Sequence, residues 1–275
     1  FAHGQQIDTD VAMDADGNFA IVWTDIQRNT NYGRVYNSSG NSIKSELVIG
    51  DDSDFVRQNS STIAMTNNGD FISVWSQESP AYRGYRIYGR KYDILGNALH
   101  TNPKTVSFSS ANTSSNDEKR QIARNGHNPD VDMTNDGEFV VSWHNNNYIF
   151  LQRFNQNFVL QNSLKQIGLT TFNSSQPNPA ISINELNETV IVWTAKDNDL
   201  MGIYAQKLDS QGTKIGGEFL INSYQDKDQM NPDVVLKNNG EFIVTWQSYE
   251  QTGTGKKFDV YVKLYDQNGI AISQE

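Results

Sequence analysis

One phrase is written five times along the chain, and this repeat limits the possible folds more than any other feature. The clearest copy spans residues 231–247, where two apolar runs flank a short polar stretch that contains Gly240. Glycine tolerates the left-handed backbone of a tight hairpin, so each copy predicts two short antiparallel strands. The other copies contain Asp10, Thr62, Asp130 and Ala180 near their starts. Self-similarity at this period indicates one structural unit per repeat.

A second phrase follows each copy and reads IYGRKYD at residues 87–93 and IYAQKLD at residues 203–209. A turn and an outer apolar phrase come next, clearest at residues 218–222. Four antiparallel strands per repeat, arranged radially, form the blade of a β-propeller. The sequence therefore predicts an all-β, five-bladed β-propeller with four antiparallel strands in each blade.

The two ends of the chain complement each other in this pattern. The spacing from Trp246 through Glu275 and on from Phe1 to Trp23 matches the spacing between neighbouring repeats. We therefore expect the N- and C-terminal segments to pair and close the ring, which removes exposed edges. This predicts a single domain over residues 1–275, with blades at roughly 8–50, 60–108, 128–170, 178–223, and 231–275 together with 1–4.

Composition excludes several classes of function. The formal net charge of −10 disfavours a nucleic-acid partner, which requires clustered Lys and Arg. The chain has no cysteine, so disulfides, thiolate metal sites and cysteine nucleophiles are not available. No apolar run approaches the roughly 20 residues of a membrane span, which predicts no membrane insertion. Because residue 1 is Phe, we expect a processed or excised piece flanked by other domains.

The paired phrases resemble a tandem repeat of very large secreted or surface-anchored bacterial proteins. The best matches are residues 203–222 and 231–246, whereas the fourth copy replaces the turn glycine by Asn187. The resemblance covers the whole chain and implies an extracellular or cell-surface, adhesin-like propeller that contacts carbohydrate. It implies no agreed catalytic residues.

The loops after the second and fourth strands vary in length, and binding sites tend to be built on such loops. Amide and aromatic side chains recur there and suit sugar hydroxyls and sugar faces. We therefore predict a non-catalytic, lectin-like recognition module that binds a glycan or another cell-surface ligand, without a cofactor. The predicted ligand-binding residues are Gln6, Gln58, Gln77, Tyr82, His144, Gln176, Tyr224, Gln229 and Tyr249. An alternative is that the glutamines only tie blades together through backbone groups.

Two other functions stay open at this stage. A glycoside hydrolase needs carboxylates that converge on a central channel, and Asp132 is the one charge at its position in the five inner strands. Asp10, Asp130 and Asp233 are interpreted as turn or cap residues. A structural spacer in a long adhesin is the other alternative. Asp14 and Asp16 resemble the opening of a calcium loop, which makes calcium a possible ligand.

Overall fold

The computed structural model describes residues 5–50, 57–79, 84–99, 120–124, 126–145, 148–169, 177–197, 200–251, 255 and 257–275. Within them the regular structure is entirely β, which confirms the predicted all-β class. The described residues include no helix that is long and apolar enough to cross a membrane.

In the described part of the chain, nineteen strands form five antiparallel sheets, which we number along the chain. The first sheet contains β1 (Gln6–Met13), β2 (Phe19–Asp25), β3 (Thr30–Tyr36) and β4 (Ser42–Val48). The second contains β5 (Gln58–Met65), β6 (Phe71–Ser79), β7 (Gly84–Tyr92) and β8 (Arg120–Arg124). The third contains β9 (His127–Met133), β10 (Phe139–Asn145), β11 (Tyr148–Phe154) and β12 (Lys165–Leu169). The fourth contains β13 (Ala180–Ile183), β14 (Thr189–Lys196), β15 (Met201–Leu208) and β16 (Lys214–Leu220). The fifth contains β17 (Gln229–Leu236), β18 (Phe242–Tyr249) and β19 (Phe258–Tyr265).

The first two strands of each sheet form the predicted hairpin. Gly17, Gly69, Gly137 and Gly240 adopt the positive φ that the turn requires. In the fourth sheet, Asn187 takes the same conformation with φ of 62°. Asn is among the side chains that tolerate this region, which explains how the copy without a turn glycine still folds into a hairpin.

The chain divides into two compact units. The first unit comprises Phe1–Phe139 with Arg153–Gln161, and the second comprises Val140–Gln152 with Asn162–Glu275. In the first unit, Val22 and Val35 of the first sheet pack against Phe71 and Trp75 of the second sheet. In the second unit, the fourth sheet packs in the same way against the fifth, around Trp246.

The tryptophan that recurs in each copy of the repeat lies in the core. Trp75, Trp193 and Trp246 are fully buried. Each ring stacks on the tyrosine opposite it on the next strand, with centroids 6.1 Å apart for Trp246 and Tyr261. Such aromatic pairs stabilise a sheet beyond the area they bury.

The prediction of a five-bladed propeller closed by its terminal segments is wrong. The described residues form five separate sheets, none of them closed, and the fifth has three strands instead of four. Residues 1–4, which were expected to complete the fifth sheet, lie outside the described residues. Sheet faces that are buried in the second, third and fourth sheets are exposed in the first and fifth sheets. Val11 of the first sheet is 59% exposed, whereas its counterpart Ile63 in the second sheet is 5% exposed.

Candidate functional site

The first strand of three of the sheets carries a bulge at one repeated position, and the equivalent residue of the other two sheets also has a positive φ. Asp8, Ser60 and Asn128 in the first unit, and Asn178 and Asn231 in the second, all have positive φ between 39° and 53°. The strand register shifts at this point in the first, second and fifth sheets. Bulges re-aim side chains and are frequent beside active sites. The bulged position is therefore a candidate location for a functional site.

In the first unit, the bulge residues contact one another across three strands. The backbone amide of Ser60 donates to Oδ2 of Asp8 at 3.0 Å. The Ser60 hydroxyl donates to Oδ1 of Asn128 at 3.2 Å. Asp8 is exposed and the other two side chains are half-buried, so this layer presents hydrogen-bonding groups to solvent.

Two residues further along each strand lies a second polar layer, which we call the Asp–Thr–Asp cluster. It consists of Asp10 on β1, Thr62 on β5 and Asp130 on β9. Oγ1 of Thr62 lies 2.9 Å from Oδ2 of Asp10 and 3.0 Å from Oδ1 of Asp130. The two carboxylate oxygens are thus no more than about 6 Å apart, close to the separation of the paired carboxyl groups in retaining glycosidases.

Backbone amides as well as Thr62 hold the carboxyl group of Asp10. Asp10 accepts the amides of Val11 at 2.8 Å and Ile63 at 2.9 Å in addition to its contact with Thr62. A hydroxyl has a single hydrogen, so Thr62 can donate to only one of the two carboxyl groups at a time. The Thr62 hydroxyl therefore bridges the carboxyl groups of Asp10 and Asp130.

His127 begins the strand that carries Asn128 and Asp130. Its ring lies 4.9 Å from that of Tyr85, tilted by 53°. Burial lowers the pKa of His127, so the neutral imidazole is favoured beside the two polar layers.

Asp132, the predicted catalytic candidate, lies at the end of the same strand. Its Oδ1 accepts the amide of Met133 at 2.8 Å, and the side chain is half-buried. Asp10 and Asp130, which the sequence reasoning interpreted as turn or cap residues, lie inside β1 and β9 and form the cluster with Thr62. Asp233, at the same repeat position in the second unit, is exposed and accepts the amide of Val234.

Several predicted ligand-binding glutamines are buried. Oε1 of Gln58 accepts the amide of Asn31 at 3.3 Å, and Oε1 of Gln77 accepts the indole N–H of Trp75 at 3.2 Å. Gln229 accepts from the Asn222 amide and donates to two backbone carbonyls. These bonds match the alternative in which the glutamines tie backbone segments together. Gln6 is half-buried in β1.

The remaining predicted ligand-binding residues that the structure describes lie on separate segments of the chain. His144 is buried at the end of β10, and Tyr224 is half-buried with its backbone amide bonded to Glu275. Tyr249 lies at the end of β18, with its ring 5.0 Å from that of Phe258 and tilted by 52°. Tyr82 and Gln176 lie outside the described residues. Ligand binding by these residues stays a prediction.

The proposed calcium residues serve the first hairpin. Oδ1 of Asp14 accepts the amides of Asp16 and Asn18, and its Oδ2 accepts the side-chain amide of Asn18. Both oxygens are thus used within the turn. Among the residues that the structure describes, no cluster of three or more His, Asp and Glu side chains is placed to hold a metal ion.

The sequence contained a signal for the bulge layer that the prediction did not use. Asp, Ser or Asn stands two residues before the inner-strand phrase in all five copies, at positions 8, 60, 128, 178 and 231. Asn and Asp are enriched in the left-handed region. A recurring residue of this kind inside a strand pattern therefore indicates a bulge.

No protein-family model matches the sequence, and no curated protein matches it either. The structure is similar to a mutant of the α-L-arabinofuranosidase Arb93a from Fusarium graminearum, with a TM-score of 0.59, 12% identity, and coverage of 96% of this chain and 81% of that one. It is also similar to an endo-arabinase from Bacteroides thetaiotaomicron (TM-score 0.51, 10% identity, 93% and 92% coverage). An α-L-arabinofuranosidase from Lactobacillus brevis gives a TM-score of 0.50 at 9% identity, with 97% and 93% coverage. At these identities the similarity concerns the fold alone. The structure is similar to folds of the arabinofuranosidase type and not to the closed ring that the sequence predicted.

Proposed function

We propose that the protein acts on carbohydrate as a glycoside hydrolase, with the Asp–Thr–Asp cluster as its site. The observation that carries this proposal is the pair of carboxyl groups, Asp10 and Asp130, held on either side of the Thr62 hydroxyl. Paired carboxyl groups at this separation are the machinery of retaining glycosidases. The arabinose-directed names of the structural neighbours support testing arabinan first.

We assign Asp10, which accepts two backbone amides, as the nucleophile and Asp130 as the acid. Asp130 gives its proton to the glycosidic oxygen while Asp10 attacks the anomeric carbon, so that the glycosidic bond breaks and an ester to Asp10 forms. A water molecule then gives a proton to Asp130 and attacks the same carbon, which releases the sugar and restores Asp10. The layer of Asp8, Ser60 and Asn128 offers acceptors and donors for sugar hydroxyls.

Hydrolysis of a polysaccharide panel that includes arabinan tests the proposal. We expect Asp10→Asn to lower kcat at least about a hundredfold because it removes the nucleophile. We expect a similar loss for Asp130→Asn because general acid–base catalysis contributes about that much. Asp233→Asn is the matched control, since this carboxylate occupies the same repeat position outside the cluster. Full turnover by Asp130→Asn, or equal losses in all three variants, would contradict the assignment.

We also propose a second candidate function, non-catalytic recognition of a glycan. It is supported by the aromatic pair of half-buried Tyr249 and exposed Phe258, because aromatic rings pack against the apolar faces of sugars. A glycan array with the parent protein and Tyr249→Ala tests this candidate: binding should be lost in the variant but kept in Asp130→Asn. The resemblance of the repeat to surface proteins supports a location outside the cell for either function.

A further inference from the structure

We propose that the second unit carries a carboxylate-binding pocket that takes a uronic acid residue of an acidic glycan, and that Glu275 occupies this pocket within the chain. The proposal is independent of the hydrolase site, because every residue that forms the pocket belongs to the second unit. The pocket is formed by Ser223 and Tyr224 in the segment after β16, by Gln251 in the loop after β18, and by Lys263 of β19.

Four donors converge on the side chain of Glu275. Its Oε2 accepts the amide of Ser223 at 2.6 Å and lies 3.7 Å from Nζ of Lys263. Its Oε1 accepts the amide of Tyr224 at 3.1 Å and the side-chain amide of Gln251 at 2.9 Å. Successive backbone N–H groups form an anion-binding concavity, and a cation beside them strengthens the hydrogen bonds to a carboxylate. The arrangement is therefore a built site for a carboxylate.

The protein holds Lys263 in place through contacts other than that with Glu275. Its Nζ donates to the carbonyl of Ile221 at 2.9 Å and to the hydroxyl of Ser223 at 2.8 Å. The side chain is 11% exposed, so solvent screens its charge less than at an open surface. The pocket therefore keeps its cation in position when a different carboxylate enters.

The pocket favours the ionised form of a carboxyl group. Burial acts to raise the pKa of Glu275, but hydrogen bonds from the backbone of Ser223 and Tyr224 outweigh burial and lower that pKa. A neutral hydroxyl or amide in the same place would gain no charge-assisted hydrogen bonds. A ligand of this pocket should therefore carry a carboxylate.

Glu275 can leave the pocket while the fifth sheet stays intact. The segment that carries it is anchored earlier, because Ile272 donates to the carbonyl of Leu264 at 2.9 Å and the amide of Leu264 donates to Oγ of Ser273 at 2.9 Å. Glu275 lies two positions beyond this anchor, so a change of its side-chain rotamer frees the donors. A tethered group competes at an effective concentration of millimolar order, so Glu275 should weaken the binding of a free carboxylate.

The surroundings of the pocket favour a sugar acid as the ligand. Tyr224 and Tyr261 are half-buried beside it. Burial raises the pKa of Tyr261, and the charges of Asp259 and Glu275 raise it further, which places this ring near the carboxylate. Aromatic rings pack against the apolar faces of sugars, and the Ser223 hydroxyl suits a sugar hydroxyl. A uronic acid offers a carboxylate, an apolar ring face and hydroxyls in one residue.

NMR titrations of glucuronate and of glucose into the full chain test the proposal, because the two sugars differ only in the carboxylate. We expect glucuronate, and not glucose, to shift the backbone amide resonances of Ser223 and Tyr224. In Glu275→Ala, which removes the competing carboxylate, the affinity for glucuronate should rise at least about tenfold.

A second substitution in the Glu275→Ala protein tests the role of the cation. Lys263→Met should lower the affinity for glucuronate at least about tenfold, the equivalent of one lost charge-assisted hydrogen bond. Lys237→Met is the matched control, because Lys237 forms an exposed ion pair with Glu241 at another place in the second unit. This control should leave the affinity unchanged.

Three results would overturn the proposal. Equal affinities of the parent protein and Glu275→Ala would contradict the exchange, and equal shifts with glucose would contradict the carboxylate pocket. If Glu275→Ala does not fold, the parent protein at roughly 50 mM glucuronate decides the question, since this exceeds the effective concentration of the tethered side chain, and unshifted amides of Ser223 and Tyr224 would refute the pocket. Tighter binding of the acetylated peptide ISQE, residues 272–275, than of glucuronate would refute the assignment to a sugar.

Discussion

Gly168 lies against a fully buried tryptophan, and its replacement by alanine tests how the second unit is packed. A Cβ atom at this position would lie 2.6 Å from Cζ2 and 2.8 Å from Cε2 of Trp193. Neither atom belongs to a flexible chain end, and the 0% exposed ring has little room to shift. Overpacking of this kind costs about 1–3 kcal/mol. We therefore expect Gly168→Ala to lower the free energy of unfolding by that amount.

Gly217 in β16 is the matched control. A Cβ there meets nothing within 4 Å, so Gly217→Ala should stabilise slightly, by about 0.4–1 kcal/mol, because alanine restricts the unfolded chain. Urea unfolding followed by tryptophan fluorescence measures both variants against the parent protein. If Gly168→Ala were as stable as Gly217→Ala, the close packing of β12 on Trp193 would be refuted.

Three further predictions concern buried polar groups. Burial lowers the pKa of Lys91, so the folded state binds this proton less tightly than the unfolded state does. The free energy of unfolding should therefore rise with pH as the pH approaches the unfolded pKa of about 10.4 from below. Urea unfolding from about pH 8 to 10.5 should show this rise in the parent protein and not in Lys91→Met. Burial acts to raise the pKa of Glu275, but hydrogen bonds from the backbone of Ser223 and its neighbours outweigh burial and lower that pKa. The stability that Glu275 contributes should therefore be present above about pH 4.3 and be lost as the pH falls below it. When the free energy of unfolding is measured against pH, Glu275→Gln should not show this loss. Gln77→Leu leaves the indole N–H of Trp75 buried without this acceptor and should lower the free energy of unfolding by about 1–3 kcal/mol, as measured by calorimetry. Gln6→Leu, at a half-buried position, should lower it by less.

The repeated hairpins could be predicted from the sequence because their signals are local. Alternating apolar residues and a glycine at a fixed offset define two strands and a turn within about fifteen residues, and Gly240 and Trp246 lie where this pattern places them. Packing of each sheet on the next also follows from the pattern, because both faces of the hairpin strands are apolar.

Closure of the ring could not be predicted in the same way. Closure depends on pairing between the two ends of the chain, which are distant in sequence. An equal spacing between tryptophans does not by itself create contacts that stabilise such pairing. The outer strand of the second sheet illustrates the difficulty: it is formed by Arg120–Arg124, which lies outside the range of roughly 60–108 predicted for the second blade.

The candidate site was missed for a related reason. Asp10 and Asp130 are 120 positions apart in the printed sequence and look like turn residues when each copy is taken alone. Only the stacking of β1, β5 and β9 brings both to Thr62. The glutamines were predicted to bind ligand because they recur in the repeat. A recurring amide side chain indicates a repeated contact with the backbone as readily as it indicates a binding site.

The configuration of the first sugar released by hydrolysis tests the central claim most directly. Two carboxyl groups that share the Thr62 hydroxyl leave too little room for a water molecule on the far side of the sugar, so the reaction should proceed through an ester to Asp10 and retain the anomeric configuration. Proton NMR of the products during the first minutes of arabinan hydrolysis, before the anomers equilibrate, measures this outcome. Retention by the parent protein, with no product from Asp130→Asn, is the predicted result. Inversion, or no turnover by the parent protein on any substrate of the panel, would contradict the account.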